Sequence, residues 1–297
     1  MVNINVTRLQ RKALPYIFVL PVVLLLLLVN FYPMLYSFRL SLSVWPPEKL
    51  LSDPEFAGLV NIQRMFTDAR LWNSAKFTFL YTVIAISLEF ILGIIVAVNL
   101  DSSIKARGFV RSVVIMPIAM APLVAAVMWG YMLNGEYGLI NYLLSVVGIK
   151  PVPWLSANPW ALISVVIVDL WQHTPFVAIV LLAGLQAIPD HYAEAAHVDG
   201  ASKWQVFWSI TLPLLRPALL VAGVIRTTNA VRMFDLSYAL TAGGPFQSTE
   251  TFSYLAYEYA FRTFEVPYAA AISWLVFLLN LIISVGIVRV LYAKIEV

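Results

Sequence analysis

Residues 194–213 read EAAHVDGASKWQVFWSITLP and form the most polar segment in the second half of the chain. This segment lies between two long apolar runs. Asp199 and Gly200 are a turn signal, and Ser202 followed by Gln205 fits a capping box that opens a helix. The segment therefore predicts two short helices that meet at an angle, outside the apolar runs on either side.

The composition places the whole chain in a membrane. The chain has 297 residues, of which 61% are hydrophobic and 12% charged, whereas a soluble domain is about half apolar and about a quarter charged. Cysteine is absent, which excludes disulfides, thiolate metal sites and cysteine nucleophiles. Basic segments interleaved with aromatic residues are also absent, so nucleic acid is not an expected partner.

Six apolar runs are long enough to cross a bilayer, which takes about 20 residues. We predict an all-α, polytopic fold with spans near residues 14–38, 75–100, 110–132, 160–187, 216–238 and 268–291. The fifth run is the least apolar of the six. The first run follows Arg8, Arg11 and Lys12. It is longer than the apolar core of a signal peptide and no small-residue cleavage site follows it, so we interpret it as a retained span.

The cationic residues between the spans predict the orientation of the chain. The N-terminus, residues 101–111, residues 188–216 and the C-terminus together carry ten Lys and Arg, and the opposite set of segments carries six. The richer side is expected to be cytoplasmic. Both termini and the hairpin at residues 189–213 are therefore predicted to lie in the cytoplasm.

The hairpin resembles the EAA motif of permease subunits of binding-protein-dependent ABC importers. The resemblance is carried by Glu194-Ala195-Ala196, then Gly200, then Ile210 and Leu212-Pro213. The form Asp199-Gly200-Ala201-Ser202, and the ending Leu-Pro-x-x-Arg-Pro at Pro217, are similar to the carbohydrate-uptake branch. Three further segments fit this branch: Asn30-Phe31-Tyr32-Pro33, Gly58-Leu59-Val60-Asn61 and Leu240-Thr241-Ala242-Gly243-Gly244-Pro245. Considered alone, the last of these is only a turn at the end of a span.

The resemblance implies a type I ABC importer permease fold, a single membrane domain over residues 1–297 in a prokaryotic cytoplasmic membrane. It implies a heterodimer with a second permease, two partner ATPase subunits and an extracytoplasmic sugar-binding protein. No G-x-x-x-x-G-K-[ST] motif occurs, so ATP and Mg²⁺ are expected on the partner ATPases and no cofactor on this chain. The residues expected to couple to the ATPases are Glu194, Ala195, Ala196, Asp199, Gly200 and Ala201.

Polar side chains inside two spans are candidates for the substrate path, because such groups usually face a cavity or a partner. In the fourth span Asp169, Gln172, His173 and Phe176 follow the spacing i, i+3, i+4, i+7, which puts them on one helical face. By the resemblance to sugar permeases, a face of the fifth span with Arg226, Ala230 and Met233, and Asn229 beside it, also lines the path. The alternative for both faces is a set of structural contacts to the second permease.

The remaining polar groups point away from enzymatic chemistry. Glu89 stands alone in the second span and is interpreted as structural. His173 with Asp169 lacks a nucleophile within reach and provides too few ligands for a metal site.

The expected function is therefore the membrane subunit of an ATP-driven importer of a sugar, and a di- or oligosaccharide is favoured. The alternatives are an importer of a polyol or glycerol phosphate, an ion- or proton-coupled secondary transporter, and a membrane scaffold without transport activity.

Overall fold

The computed structural model describes residues 8–45, 53–101 and 107–292. Lys49, Lys105 and Lys294, three of the cations that predict the orientation, lie outside the described residues. The regular secondary structure of the described residues is helical apart from two short strands, β1 (Ser43–Val44) and β2 (Glu55–Phe56), which pair in antiparallel fashion. The all-α prediction did not include this pair of strands.

The chain divides into two compact units. The first comprises residues 1–67 and 258–274, and the second comprises residues 68–257 and 275–297. The expectation of one membrane domain over residues 1–297 stays a prediction.

The first unit begins with a long apolar helix. It consists of α1 (Arg8–Leu26), a π-helical turn (Leu27–Phe31) and α2 (Tyr32–Ser41). The apolar side chains between Phe18 and Leu35 are exposed on all sides of this helix. An apolar helix that has no polar face fits a lipid environment rather than a water-facing surface.

Polar contacts of helix α3 (Val60–Thr67) join the remaining parts of the first unit. Helix α3 carries Asn61, whose amide donates to the carbonyls of Ser41 at 3.0 Å and Ser43 at 2.8 Å. Arg64 of α3 forms an ion pair with Glu265, and its guanidinium lies 4.0 Å from the centre of the Tyr268 ring. The unit also contains the π-helical segment Glu258–Arg262 and the first part of the last helix, which is named below.

The second unit contains the other helices. These are α4 (Ala69–Asp101), α5 (Arg107–Ile115), a 3₁₀ turn (Met116–Ala119), α6 (Pro122–Met132), α7 (Leu139–Val146), α8 (Trp160–Gln186), α9 (His191–Val198), α10 (Lys203–Val206), a π-helical segment (Phe207–Thr211), α11 (Leu212–Leu214), α12 (Arg216–Val231), a second π-helical segment (Leu236–Leu240), α13 (Phe252–Tyr257) and residues 275–292 of α14 (Val266–Tyr292).

Helices α4, α8 and α12 pack against one another and form the core of the second unit. Gly93 of α4 allows the backbones of α4 and α8 to approach closely, because a Cβ at this position would lie 2.6 Å from Val177 Cγ1. Small residues of this kind are typical where helices associate within a membrane. The close approach determines which side chains of α4 and α8 face α12.

Among the described residues, four helices are long and apolar enough to cross a membrane: Phe18–Ser41, Ala69–Asp101, Trp160–Gln186 and Val266–Val290. Two further pairs of helices meet the same criterion only when each bent pair is counted as one span. These pairs are Gly108–Ala119 with Pro122–Met132, bent by 96°, and Lys203–Leu214 with Arg216–Val231, bent by 63°. The count of up to six agrees with the sequence prediction.

The third and fifth spans differ from their predicted form. The third is broken because Met120 is extended (φ −77°, ψ 138°) between Pro117 and Pro122, which interrupts the helical hydrogen bonds. The fifth was predicted to continue to residue 238, but α12 ends at Val231. Residues 232–235 turn before the helix resumes at Leu236, so Met233 does not belong to the helical face on which it was predicted.

Candidate functional site

A cavity of about 310 Å³ lies in the second unit among α4, α6, α8 and α12. This volume is within the range of ligand pockets, about 300–1,000 Å³. Its lining combines aromatic, apolar and polar side chains: Tyr81, Pro122, Asp169, Gln172, His173, Arg226, Asn229, Arg232, Met233, Phe234, Asp235 and Leu236. Six of the eight residues predicted for the substrate path are among them.

Arg226 is the centre of a buried ion cluster at this cavity. Its Nε donates to Glu89 Oε2 at 2.7 Å, and its Nη2 donates to Glu89 Oε1 at 2.5 Å and to Asp169 Oδ2 at 3.1 Å. The exposed fractions of Arg226, Glu89 and Asp169 are 1%, 0% and 2%. Because charges in such a place must be paired, the cluster links α4, α8 and α12.

His173 connects the ion cluster to the open space of the cavity. Its Nδ1 lies 2.8 Å from Asp169 Oδ1, and 24% of its side chain is exposed. Glu89, Asp169 and His173 bring their ligand atoms within 4.8 Å of one another, a spacing compatible with a metal ion. The prediction counted too few ligands because it omitted Glu89. The guanidinium of Arg226, however, already binds both carboxylates.

Gln172 is one of the polar residues that line the cavity. Its Nε2 donates to the Met120 carbonyl at 3.1 Å, which fixes the orientation of the amide. Its Oε1 is buried and has no hydrogen-bond partner within the part of the chain that the structure describes. A buried acceptor without a partner costs about 1–3 kcal/mol.

Two predicted path residues do not line the cavity. Phe176 packs against the apolar cluster around Leu181, and Ala230 is buried in the core cluster with Val165. Met233 does line the cavity, although the helical spacing that suggested it ends at Val231. The face of α8 is therefore polar and open at 169–173, and apolar and closed one turn further on.

The pairing of Glu89 was not predicted from the sequence. Glu89 was expected to be a lone structural group, but it accepts two hydrogen bonds from Arg226. An available signal was that an acid and an arginine lie in two separate apolar spans, where each requires an opposite charge. Tyr81, Phe234 and Leu236 are further lining residues that the sequence analysis did not identify.

The hairpin between α8 and α12 has the predicted two-helix form. At the end of α9 the N–H of Ala201 donates to the Ala196 carbonyl, and the N–H of Gly200 donates to the His197 carbonyl. This pattern is a Schellman motif, and it requires the left-handed conformation that Gly200 adopts at φ 84°. The capping box between Ser202 and Gln205 then begins α10.

The coupling residues lie on an accessible surface of this hairpin. Glu194, Ala195, Asp199 and Gly200 are exposed, and Ala196 and Ala201 are partly buried. Asp190 occupies the N-cap position of α9 but makes no side-chain capping hydrogen bond. On α10 and the segment after it, the rings of Trp204, Phe207 and Trp208 pack together with centroid distances of 5.4–6.3 Å.

The turn at residues 240–245 is fixed by a network of hydroxyl groups. Thr249 Oγ1 donates to the Gly244 carbonyl at 2.6 Å, and Ser237 Oγ donates to the Thr249 carbonyl at 2.6 Å. The N–H of Gly243 donates to the Ser237 carbonyl at 2.8 Å. These contacts hold the segment that follows the cavity residues 232–236.

The chain matches a known family over most of its length. The model described as "Binding-protein-dependent transport system inner membrane component" matches residues 89–297. The trehalose/maltose transport system permease protein MalF of Thermococcus litoralis is 40% identical over 95% of this chain and 94% of its own length. The sn-glycerol-3-phosphate transport system permease protein UgpA of Agrobacterium fabrum is 34% identical over 88% of each chain.

The fold is similar to that of a solved permease chain. The crystal structure of a bacterial ABC transporter involved in the import of the acidic polysaccharide alginate aligns with a TM-score of 0.85. The alignment covers 97% of this chain and 99% of that chain at 21% identity. The predicted type I ABC importer permease fold is thus confirmed, as is the transport rather than enzymatic class. The chain belongs to the family of inner membrane components of binding-protein-dependent transport systems.

Proposed function

We propose that this chain is the membrane subunit of an ATP-driven ABC importer that carries a sugar, with a di- or oligosaccharide as substrate. The observation that carries the proposal is the polar cavity enclosed by the apolar helices α4, α8 and α12. Asp169, Gln172, His173 and Asn229 offer hydrogen-bonding groups to it, and Tyr81 and Phe234 offer aromatic surface. A ligand with many hydroxyl groups on an apolar ring skeleton needs both kinds of surface.

The names of the relatives support a sugar as substrate. The 40% identical relative is named for trehalose and maltose, and a 33% identical relative from Mycobacterium tuberculosis for trehalose. A cavity of about 310 Å³ matches the size of a small saccharide better than that of a long polymer. A polymer would have to pass through such a cavity a few residues at a time.

The hairpin at residues 189–213 serves in this proposal as the docking element for a partner ATPase. The EAA sequence, its exposure and the rigid turn at Gly200 all suit a surface that must transmit a movement without bending. Glu194 and Asp199 present exposed carboxylates on it, with Ala195, Ala196 and Ala201 permitting close approach. A membrane subunit that lacks a nucleotide site requires such a contact.

The same proposal places both termini in the cytoplasm and pairs this chain with a second, similar permease. Two ATPase subunits bind the two hairpins, and an extracytoplasmic binding protein delivers the sugar at the opposite surface. ATP, Mg²⁺ and the nucleotide chemistry belong to the ATPase subunits. The path residues proposed from the sequence and lining the cavity are Asp169, Gln172, His173, Arg226, Asn229 and Met233.

Reconstitution tests this assignment directly. The chain would be co-expressed with its genomically neighbouring permease and ATPase, purified as a complex and inserted into proteoliposomes with the binding protein. We expect sugar uptake that requires ATP and persists when ionophores collapse the ion gradients. Uptake by this chain alone, driven by an ion gradient without ATPase subunits, would contradict the proposal.

A further inference from the structure

We infer that the cavity selects against anionic substrates, and that Glu89 and Asp169 determine this specificity by neutralising Arg226. The inference depends on the proposed function, since it concerns the sugar path, and it adds the charge class of the substrate. It separates this chain from an importer of glycerol phosphate, which the sequence leaves open because two arginines lie in the fifth span region.

The charged groups at the cavity do not add up to a positive charge. Asp169 and Asp235 line it together with Arg226 and Arg232, and Glu89 lies behind Arg226 within hydrogen-bonding distance. With all three carboxylates ionised, these groups carry one net negative charge, and a cationic His173 brings the sum only to zero. In neither state does the cavity carry the positive charge that would attract an anion.

The guanidinium of Arg226 is already bound by two carboxylates. A guanidinium is the side chain best suited to bind a phosphate or carboxylate, because its donors match two oxygens at once. Here Nε and Nη2 are directed to Glu89 and Asp169, and the residue is 1% exposed. An anionic ligand would have to displace a buried carboxylate that already holds this position. Arg226 therefore serves the helix contact rather than the ligand.

The charge of the other groups in the cavity lining also affects which ligands can bind. The carboxylate of Asp235 is an acceptor that lines the cavity and offsets the exposed guanidinium of Arg232, and the Asp169 carboxylate, held by Arg226 and His173, adds further negative charge. Acceptors are satisfied by the hydroxyl groups of a neutral sugar or by the ammonium group of an amino sugar. A phosphate or carboxylate group instead brings only further acceptors and negative charge, which disfavours it.

The test compares three ligands that share one disaccharide skeleton and differ only at the 6-position, on the purified complex of both permeases and ATPases without the binding protein. Trehalose, trehalose 6-phosphate and 6-amino-6-deoxytrehalose would be measured by equilibrium dialysis at fixed pH and ionic strength. We expect the amino sugar and trehalose to bind comparably, and the phosphate ester to bind at least about tenfold more weakly than trehalose. Binding of the phosphate ester as tightly as trehalose would overturn the charge selection and leave the sugar path intact.

Variants then assign the selectivity to named residues. Glu89→Gln combined with Asp169→Asn keeps acceptor atoms for Arg226 and removes two negative charges, so the preference for trehalose over its phosphate should fall at least about tenfold. If this variant does not assemble, Asp235→Asn, which leaves the ion cluster intact, should shift the preference in the same direction. Glu136→Gln is the matched control, because it removes an exposed charge away from the cavity.

The possible outcomes separate this inference from the proposed function. An unchanged preference in an assembled Glu89→Gln, Asp169→Asn complex overturns the role of these two carboxylates. If that complex fails to assemble, an unchanged preference in Asp235→Asn overturns the selection by the charge of the cavity. A change of equal size in Glu136→Gln would also overturn it, because overall charge would then explain the effect. If neither trehalose nor its derivatives bind the complex, the cavity is not the sugar site, and both the inference and the proposed path fail.

Discussion

Arg226 of α12 donates two hydrogen bonds to the carboxylate of Glu89 of α4, and both side chains are almost completely buried. The two residues are 137 positions apart in the chain. Asp169 of α8 accepts a third hydrogen bond from the same guanidinium. The guanidinium of Arg226 therefore links helices α4, α8 and α12 next to the cavity. The effect of breaking this contact on the stability of the protein can be measured.

We predict that Arg226→Leu destabilises the complex more than Arg226→Leu combined with Glu89→Leu. The single change leaves two buried carboxylates without their cation, which costs about 3–5 kcal/mol. The double change removes one of those carboxylates and replaces it with an apolar side chain. Thermal unfolding of the purified complexes in detergent measures the difference. Equal melting temperatures for the two variants would show that the ion cluster does not stabilise the helix contact.

We predict that Gly200→Val abolishes sugar uptake and the stimulation of ATPase activity, while the subunit still inserts in the membrane. Gly200 adopts φ 84°, a conformation that costs an L-residue about 1 kcal/mol or more. No atom outside its neighbours lies within 4 Å of the position where its Cβ would be, so the effect arises from the backbone.

Gly135→Val is the matched control for this experiment, because Gly135 also has open space around it and does not adopt a positive φ. It should retain uptake and ATPase stimulation. Wild-type coupling in Gly200→Val would remove the hairpin from the proposed ATPase contact.

We predict that Gln172→Leu lowers uptake at limiting sugar by about ten- to a hundredfold, which corresponds to the loss of a buried hydrogen bond of about 1–3 kcal/mol. Asn229→Leu should act in the same direction, since Asn229 also lines the cavity. Phe176→Leu is the control on the same helix as Gln172, because Phe176 packs into an apolar cluster and not into the cavity. A comparable loss of uptake in all three variants, or loss of complex assembly in the first two, would indicate structural roles.

We predict opposite accessibility for two introduced cysteines. The natural chain has no cysteine, so each variant carries a single reactive thiol. Tyr192→Cys lies in the hairpin and Tyr137→Cys lies between α6 and α7, and the native tyrosines are 46% and 68% exposed. A membrane-impermeant maleimide should label position 137 in intact spheroplasts and position 192 only in inverted vesicles. The reverse pattern would mean that the termini face outward.

Local features of the fold could be predicted from the sequence because a few neighbouring residues determine them. The left-handed turn at Gly200 and the capping box of Ser202 with Gln205 both occur as predicted. The polar face of α8 at 169–173 also occurs, since helical spacing alone places these residues together. Each of these features depends on interactions within a few residues of chain.

Contacts between distant helices could not be predicted in the same way. The pairing of Glu89 with Arg226 depends on the rotation of α4 and α12 about their axes, and these residues lie 137 positions apart in the chain. The end of α12 at Val231 was missed because residues 232–238 remain compatible with a helix by composition. Phe176 was placed in the cavity because helical spacing cannot show where an open face becomes buried.

The bend between the hairpin and α12 has a further consequence for how the chain tolerates change. Backbone hydrogen bonds continue through it, from Leu215 to the Thr211 carbonyl and from Leu219 to the Leu215 carbonyl. The exposed hairpin and the cavity side chains Arg226 and Asn229 therefore lie on one bent helical segment whose backbone hydrogen bonds run through the bend. One residue turns an α-helix by about 100°. A single residue inserted or deleted within 217–225 would therefore rotate the cavity side chains by about this angle about the helix axis, relative to the exposed hairpin.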